Sequence, residues 1–315
     1  MTMAHVHILL NHFPTVGMIV GLGLFIIALI WKSDDVKRVS LAVLVGISAI
    51  AIPTFMSGSA ALPQIEILPG VSKEAALAHQ DAALVALVFM LLTGITAWLA
   101  LWQFRRIGRI SGGILTAVLA LGLITLGLMT QAANIGGEIR HPEILTRADR
   151  AARGGAPPAR GWVNATAIGA FVTGEPWMWP TCETLHFIGL SLLLGVVLAV
   201  DLRMLGVMKN VSFATLHRLL PWGILGFGIN VMTGMLFFLG APDQYTQNTA
   251  FQWKIVMVLL AAANALYFTV LDEAWVLGPG EDAPLTAKVM AGAAMFLWVG
   301  VMYCGSMLPF IGNSF

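Results

Sequence analysis

The stretch HILLNHFPTVGMIVGLGLFIIALIW, residues 7–31, decides the fold. From Phe13 to Trp31 it has no charged side chain, and the chain's first basic residue is Lys32. A helix needs about 20 apolar residues to cross a bilayer. A cleaved secretory signal would carry Lys or Arg ahead of its apolar core. Residues 1–10 contain neither, so the segment is expected to remain as a transmembrane helix. Two histidines, His7 and His12, stand at its head, where an ionisable side chain is costly and tends to be functional.

The same pattern recurs along the chain. Apolar runs of spanning length are expected near residues 8–31, 40–60, 81–103, 112–133, 183–206, 219–240, 253–276 and 287–307. In lipid they must be helices, because an isolated strand would leave backbone groups unpaired. Composition agrees: 58% of the 315 residues are hydrophobic and 10% charged, with a mean hydropathy of +0.85. A soluble domain carries about 25% charged residues. The expected fold is an all-α integral membrane protein with eight transmembrane helices as two four-helix bundles. A net charge of +1 and the lack of a basic tract exclude nucleic acid as a partner. Two cysteines cannot build a Cys-rich zinc or iron–sulfur site, and without Cys-x-x-Cys-His no haem is attached covalently.

Basic loops set the orientation. Lys32, Lys37 and Arg38 follow span 1; Arg105, Arg106 and Arg109 follow span 3; Arg203, Lys209 and Arg218 follow span 5. All fall on one side, which is therefore cytoplasmic, and both termini are expected to be extracytoplasmic. The long 4–5 loop, with Arg140, Arg147, Arg150, Arg153 and Arg160, runs against the pattern, but long segments obey the rule poorly. It is the natural seam. Residues 1–145 form one expected four-helix domain, 146–180 an extracytoplasmic loop, and 181–315 a second four-helix domain. Trp162, Trp177 and Trp179 suit an interfacial aromatic belt. The halves share a short likeness, His12-Phe13 with Gly21 and His186-Phe187 with Gly195.

The histidines carry the chemistry. Imidazole is the commonest metal-ligating side chain and holds haem iron, and a helical bundle can grip a haem between histidines of facing helices. His12 and His79 sit at similar depth at the outer ends of spans 1 and 3, and make the first expected pair. His7 and His12 diverge by about 140° and ~7.5 Å along one helix, so they cannot serve one iron from one face. His141 follows Gly136-Gly137 and Arg140. The glycines would let backbone approach a flat ligand, Arg140 could meet a haem propionate, and the bland alternative is a glycine cap ending span 4. His186 lies inside span 5 and could pair with His141 or His7 or hydrogen-bond a quinone. For each, the bland alternative is an interfacial histidine bonded to backbone or lipid. Asp201 and Arg203 are expected to pair or snorkel at the inner edge. Cys182 and Cys304 both fall near the outer face, where a disulfide is chemically allowed. Gly21 and the Gly113–Ala117 spacing suit close helix packing.

His7-Ile-Leu-Leu-Asn-His12-Phe-Pro, with His79 opening span 3 and Gly136-Gly137…His141 after span 4, resembles a bacterial family of four-span membrane proteins of cytochrome b-like character. The likeness covers about residues 1–145, with Ile8 where a proline often follows the first histidine. The second half, through His186-Phe-Ile-Gly-Leu, Val200-Asp-Leu-Arg-Met-Leu-Gly206, Asn230-Val-Met-Thr-Gly234 and Phe251-Gln-Trp-Lys254, resembles another such family. Members of that one often end span 7 with a histidine, where this chain has Leu266-Tyr-Phe-Thr-Val. The chain thus resembles a fusion of the two.

The resemblance and the histidines together imply a b-type cytochrome-like electron-transfer subunit of an oxidoreductase complex in the bacterial inner membrane. It would bind one or two non-covalent haems b. Its partners would be the quinone pool, membrane lipid, other complex subunits and an extracytoplasmic redox protein such as a c-type cytochrome. His12, His79, His141 and His186 are the expected metal ligands. Two readings stand beside it. Met1, Met3, His5 and His7 suit a copper or other metal transporter, since thioethers favour Cu(I). A cofactor-free membrane anchor needs only interfacial histidines.

Overall fold

The computed structural model describes residues 2–65, 67, 71–139, 163–270, 276–308 and 310–311. Its described residues are helical, without a strand. Among the described residues eight helical segments are long and apolar enough to cross a membrane, so the chain is a multi-pass membrane protein by length and composition. They group into two compact units, residues 1–97 with 112–168, and residues 98–111 with 169–315.

In the first unit, α1 (Met3–Leu10) and α2 (His12–Ile30) form one span of two pieces. Pro14 has no N–H for the Leu10 carbonyl and its ring crowds that position, so the helix breaks at Asn11. Thr2 caps α1 by accepting from the His5 N–H. Next come α3 (Asp34–Ile65), α4 (Lys73–Ile107) and α5 (Gly112–Glu138). Asp34 and Asp35 favour the first turn of α3 through the helix dipole, and Asp34 pairs with Lys37 at 2.8 Å. Met18, Leu22, Phe25, Leu41, Leu44 and Met90 are buried. Polar ties join the helices inside this apolar surround: Ser48 of α3 donates to the Met90 carbonyl of α4 at 2.8 Å, and Thr93 of α4 bonds Thr125 of α5 at 2.9 Å. Such bonds and small residues hold helices together where lipid supplies no hydrophobic drive. Gly21 meets Leu44 and Val43 of α3, whereas Gly113 faces open space.

The remaining helices are α6 (Ala165–Gly174), α7 (Met178–Met204), α8 (Phe213–His217), α9 (Leu220–Gly240), α10 (Pro242–Gln247), α11 (Thr249–Val270) and α12 (Leu285–Met307). In the second unit α7 packs on α9 and α12, and α11 on α12. The α7–α9 crossing is backbone on backbone. A Cβ on Gly189 would lie 2.9 Å from the Gly226 carbonyl oxygen, and one on Gly226 would lie 2.6 Å from the Gly189 carbonyl oxygen.

Several expectations change. The helices outrun the apolar runs, so His7 and His79 lie within helices rather than before them. The seventh span is described over Thr249–Val270, and the expected continuation to residue 276 passes through residues 271–275, which lie outside the described residues. Gly136-Gly137 does not cap α5, which continues to Glu138. Part of the expected 146–180 loop is helical as α6. The buried carboxylate of Asp81 anchors it by accepting from the Ala165 N–H at 2.9 Å. Arg203 neither snorkels nor pairs with Asp201. It is fully buried, and its guanidinium donates to the carbonyls of Val211 at 2.6 Å, Gly278 at 2.9 Å and Glu281 at 3.0 Å. Three loop carbonyls accept from the cation in place of water at the rim, and the Phe213 ring lies 4.6 Å from it. Cys182 and Cys304 form no disulfide. Both are free thiols packed in the interior, 1% and 8% exposed.

Candidate functional site

In the first unit the structure anchors His7 and His79 by the same kind of bond. His7 projects from α1, and its Nδ1 donates to the Thr54 carbonyl of α3 at 3.0 Å. His79 projects from α4, and its Nδ1 donates to the Ala132 carbonyl of α5 at 2.8 Å. A carbonyl can only accept, so the proton sits on Nδ1 and Nε2 keeps its lone pair. Neither Nε2 has a hydrogen-bond partner among the described residues. The two imidazoles are half-buried and close enough to interact electrostatically.

Glycines make room for both rings. A Cβ on Gly58 would lie 2.8 Å from the His7 ring, and one on Gly136 would lie 3.0 Å from the His79 ring. Each glycine stands four residues, one helical turn, after the carbonyl that anchors its histidine. The device is used twice: an imidazole from an odd span, a carbonyl on the next span, and a glycine one turn on.

His12 is placed elsewhere. It is exposed on α2, and the Nδ1 bond of His79 goes to Ala132. The break at Asn11 leaves His7, not His12, facing α3. His5 turns to Thr2, its Nδ1 2.9 Å from the Thr2 hydroxyl, so His5 and His7 do not converge. Met1, Arg140 and His141 lie outside the described residues. Gly137 is half-buried inside α5, beside the Gly136 that faces His79.

The second unit carries a related arrangement. The Nδ1 of His186 on α7 is 2.8 Å from the Thr233 hydroxyl of α9. That hydroxyl donates to the Ile229 carbonyl at 2.7 Å, so it accepts from the imidazole. His7 and Thr54 are 47 residues apart, as are His186 and Thr233. The structural likeness therefore runs through His7 and His186 rather than His12 and His186. Where a second histidine would stand, α11 presents Lys254. Its Nζ lies 3.6 Å from where a Cβ on Gly305 would be, and it is close enough to His186 and Cys304 to interact electrostatically.

Lys254, Thr54, Ala132 and Thr233 were not singled out by sequence as site residues. Lys254 carried a readable signal, a basic residue in the second turn of an apolar span. The backbone carbonyls carried none. Among the described residues no group of three or more His, Cys, Asp or Glu side chains could enclose a metal ion. No protein-family model, curated protein or solved structure matches this chain.

Proposed function

We propose that the chain is a membrane b-type cytochrome-like electron-transfer subunit, with His7 and His79 as the residues that would hold a non-covalent haem b. One observation carries the reading: two imidazoles from different helices, each locked through Nδ1 to a neighbouring carbonyl, each presenting an unpartnered Nε2. Two such nitrogens are the donor chemistry that a haem iron takes, and the anchoring bonds are of the outer-shell kind that orients ligating histidines and raises their basicity. A bound haem would supply a one-electron iron couple. The chain's own part is to fix the imidazole tautomers, hold the rings in place and exclude water. Iron held by two protein imidazoles would favour electron transfer over oxygen chemistry.

The resemblance of residues 1–145 to a cytochrome b-like family points the same way. The basic loops after spans 1, 3 and 5 support two four-helix bundles with both termini extracytoplasmic, in a bacterial inner membrane. His7 and His79 then stand near the outer face. Electrons would pass between the quinone pool and an extracytoplasmic redox protein such as a c-type cytochrome, within a larger oxidoreductase complex.

The test is a reduced-minus-oxidised visible spectrum of the purified protein. A b-type band is expected in the wild type and in His12→Ala, and its loss in His7→Ala and in His79→Ala. A colourless, iron-free preparation from cells well supplied with porphyrin would overturn the proposal in favour of a cofactor-free anchor. Copper without iron would overturn it in favour of metal transport.

A further inference from the structure

The second unit encloses a cavity of about 110 Å³ that uses none of the histidines above. Trp98, Trp102, Phe227 and Trp298 are among its walls, and Asp201 and Asn264 are its acidic and amide groups. The polar groups have been left in an uneven state. Trp98 Nε1 donates to the Thr269 hydroxyl at 3.1 Å, and Trp102 Nε1 donates to the His217 carbonyl at 2.8 Å. Asn264 Nδ2 donates to the Met290 carbonyl at 3.0 Å, which also fixes which end of the amide is oxygen. Two acceptors remain: Asp201 Oδ2 and Asn264 Oδ1 are buried with no hydrogen-bond partner. The residues are 3% and 8% exposed.

A buried oxygen without a donor is expensive, and two at one apolar cavity define what is missing. The missing piece must donate to the Asn264 oxygen, and a hydroxyl, which both donates and accepts, suits the Asp201 carboxyl whether or not it carries a proton. It must be largely apolar and flat to lie among indole and phenyl faces. It must also be small, because a cavity of roughly 150 Å³ admits benzene. We infer that this cavity binds a dihydroxylated aromatic ring of the hydroquinone class, its hydroxyls hydrogen-bonded to Asp201 and Asn264. The electron-carrier reading enters only in preferring a hydroquinone among such rings.

The test uses the full chain in lipid nanodiscs and the quenching of tryptophan emission by unsubstituted hydroquinone. Saturable binding is expected. 1,4-Dimethoxybenzene, with the ring but no donor, should bind at least about tenfold more weakly, as should 1,4-benzoquinone. Asn264→Leu and Asp201→Val should each weaken hydroquinone binding about tenfold. Ala265→Leu, which fills the cavity and leaves both acceptors in place, should block it. This third variant keeps the test decisive if the first two fold poorly. Equal binding of hydroquinone and dimethoxybenzene would overturn the inference, as would unchanged binding in Ala265→Leu or stronger binding of butylammonium than of hydroquinone. The visible spectrum of the same preparations separates this site from the haem proposal. A b-type band without ring binding sinks only the cavity, and ring binding without a band sinks only the haem.

Discussion

At the scale of single residues, the site depends on what glycine omits. Gly58 and Gly136 leave the space that the His7 and His79 rings occupy. Gly58→Ala therefore forces the imidazole of His7 off the Thr54 carbonyl. Under the proposed function, the expected result is normal helix content by circular dichroism with reduced haem content, measured as pyridine haemochrome per chain. Gly113→Ala, with open space around it, should leave both unchanged. Arg203 makes a second residue-scale prediction. Its planar fork spans carbonyls from two loops, which the single ammonium of lysine cannot copy. Arg203→Lys should destabilise the protein by about 3 kcal/mol, read in a denaturant titration. Sequence placed this arginine at the rim because a charge at a helix end usually reaches for water. It could not show that three carbonyls of residues 211, 278 and 281 would meet there. The carbonyl that holds His7 likewise leaves no trace in residue identity.

Helices were the most legible level. Each of the eight spans was visible as an apolar run, because the bilayer requires length and composition and little else. Their ends were not. Lys73 to Gln80 reads as polar flank, yet it forms the first turns of α4 and carries His79 into place. The α6 helix was hidden because its N-terminus is held by Asp81, more than 80 residues earlier in the sequence. Asp81→Ala should free α6, seen as faster amide hydrogen exchange over residues 165–174 with little change elsewhere in the chain. The α7–α9 crossing at Gly189 and Gly226 yields another test. Gly226→Leu drives a side chain into the Gly189 carbonyl and should cost about 1–3 kcal/mol, read as a lower Tm.

At the scale of the whole molecule, one exposed charge cluster ties two loops of the second unit. Asp282 lies 2.8 Å from Lys288 and 3.4 Å from Lys209. The hydrogen bond from Lys288, followed by the bond and charge of Lys209, holds the Asp282 carboxyl below the usual carboxylate value. A depressed folded-state pKa gives stability that is present above the unfolded value and is lost as pH falls through the folded one. Wild type should thus melt above Asp282→Asn at neutral pH, and the gap should close as acid takes the pH below the ordinary carboxylate range. High salt should shrink the same gap, since both lysines are solvent-accessible.

The two interior thiols open a route to sidedness. Maleimide reagents attack a solvated thiolate, and Cys182 and Cys304 offer them almost no surface. A single cysteine written into the turn at Ser33, or beside Thr2, would report by itself to an impermeant label on whole cells, with the native sulfurs left in place and silent.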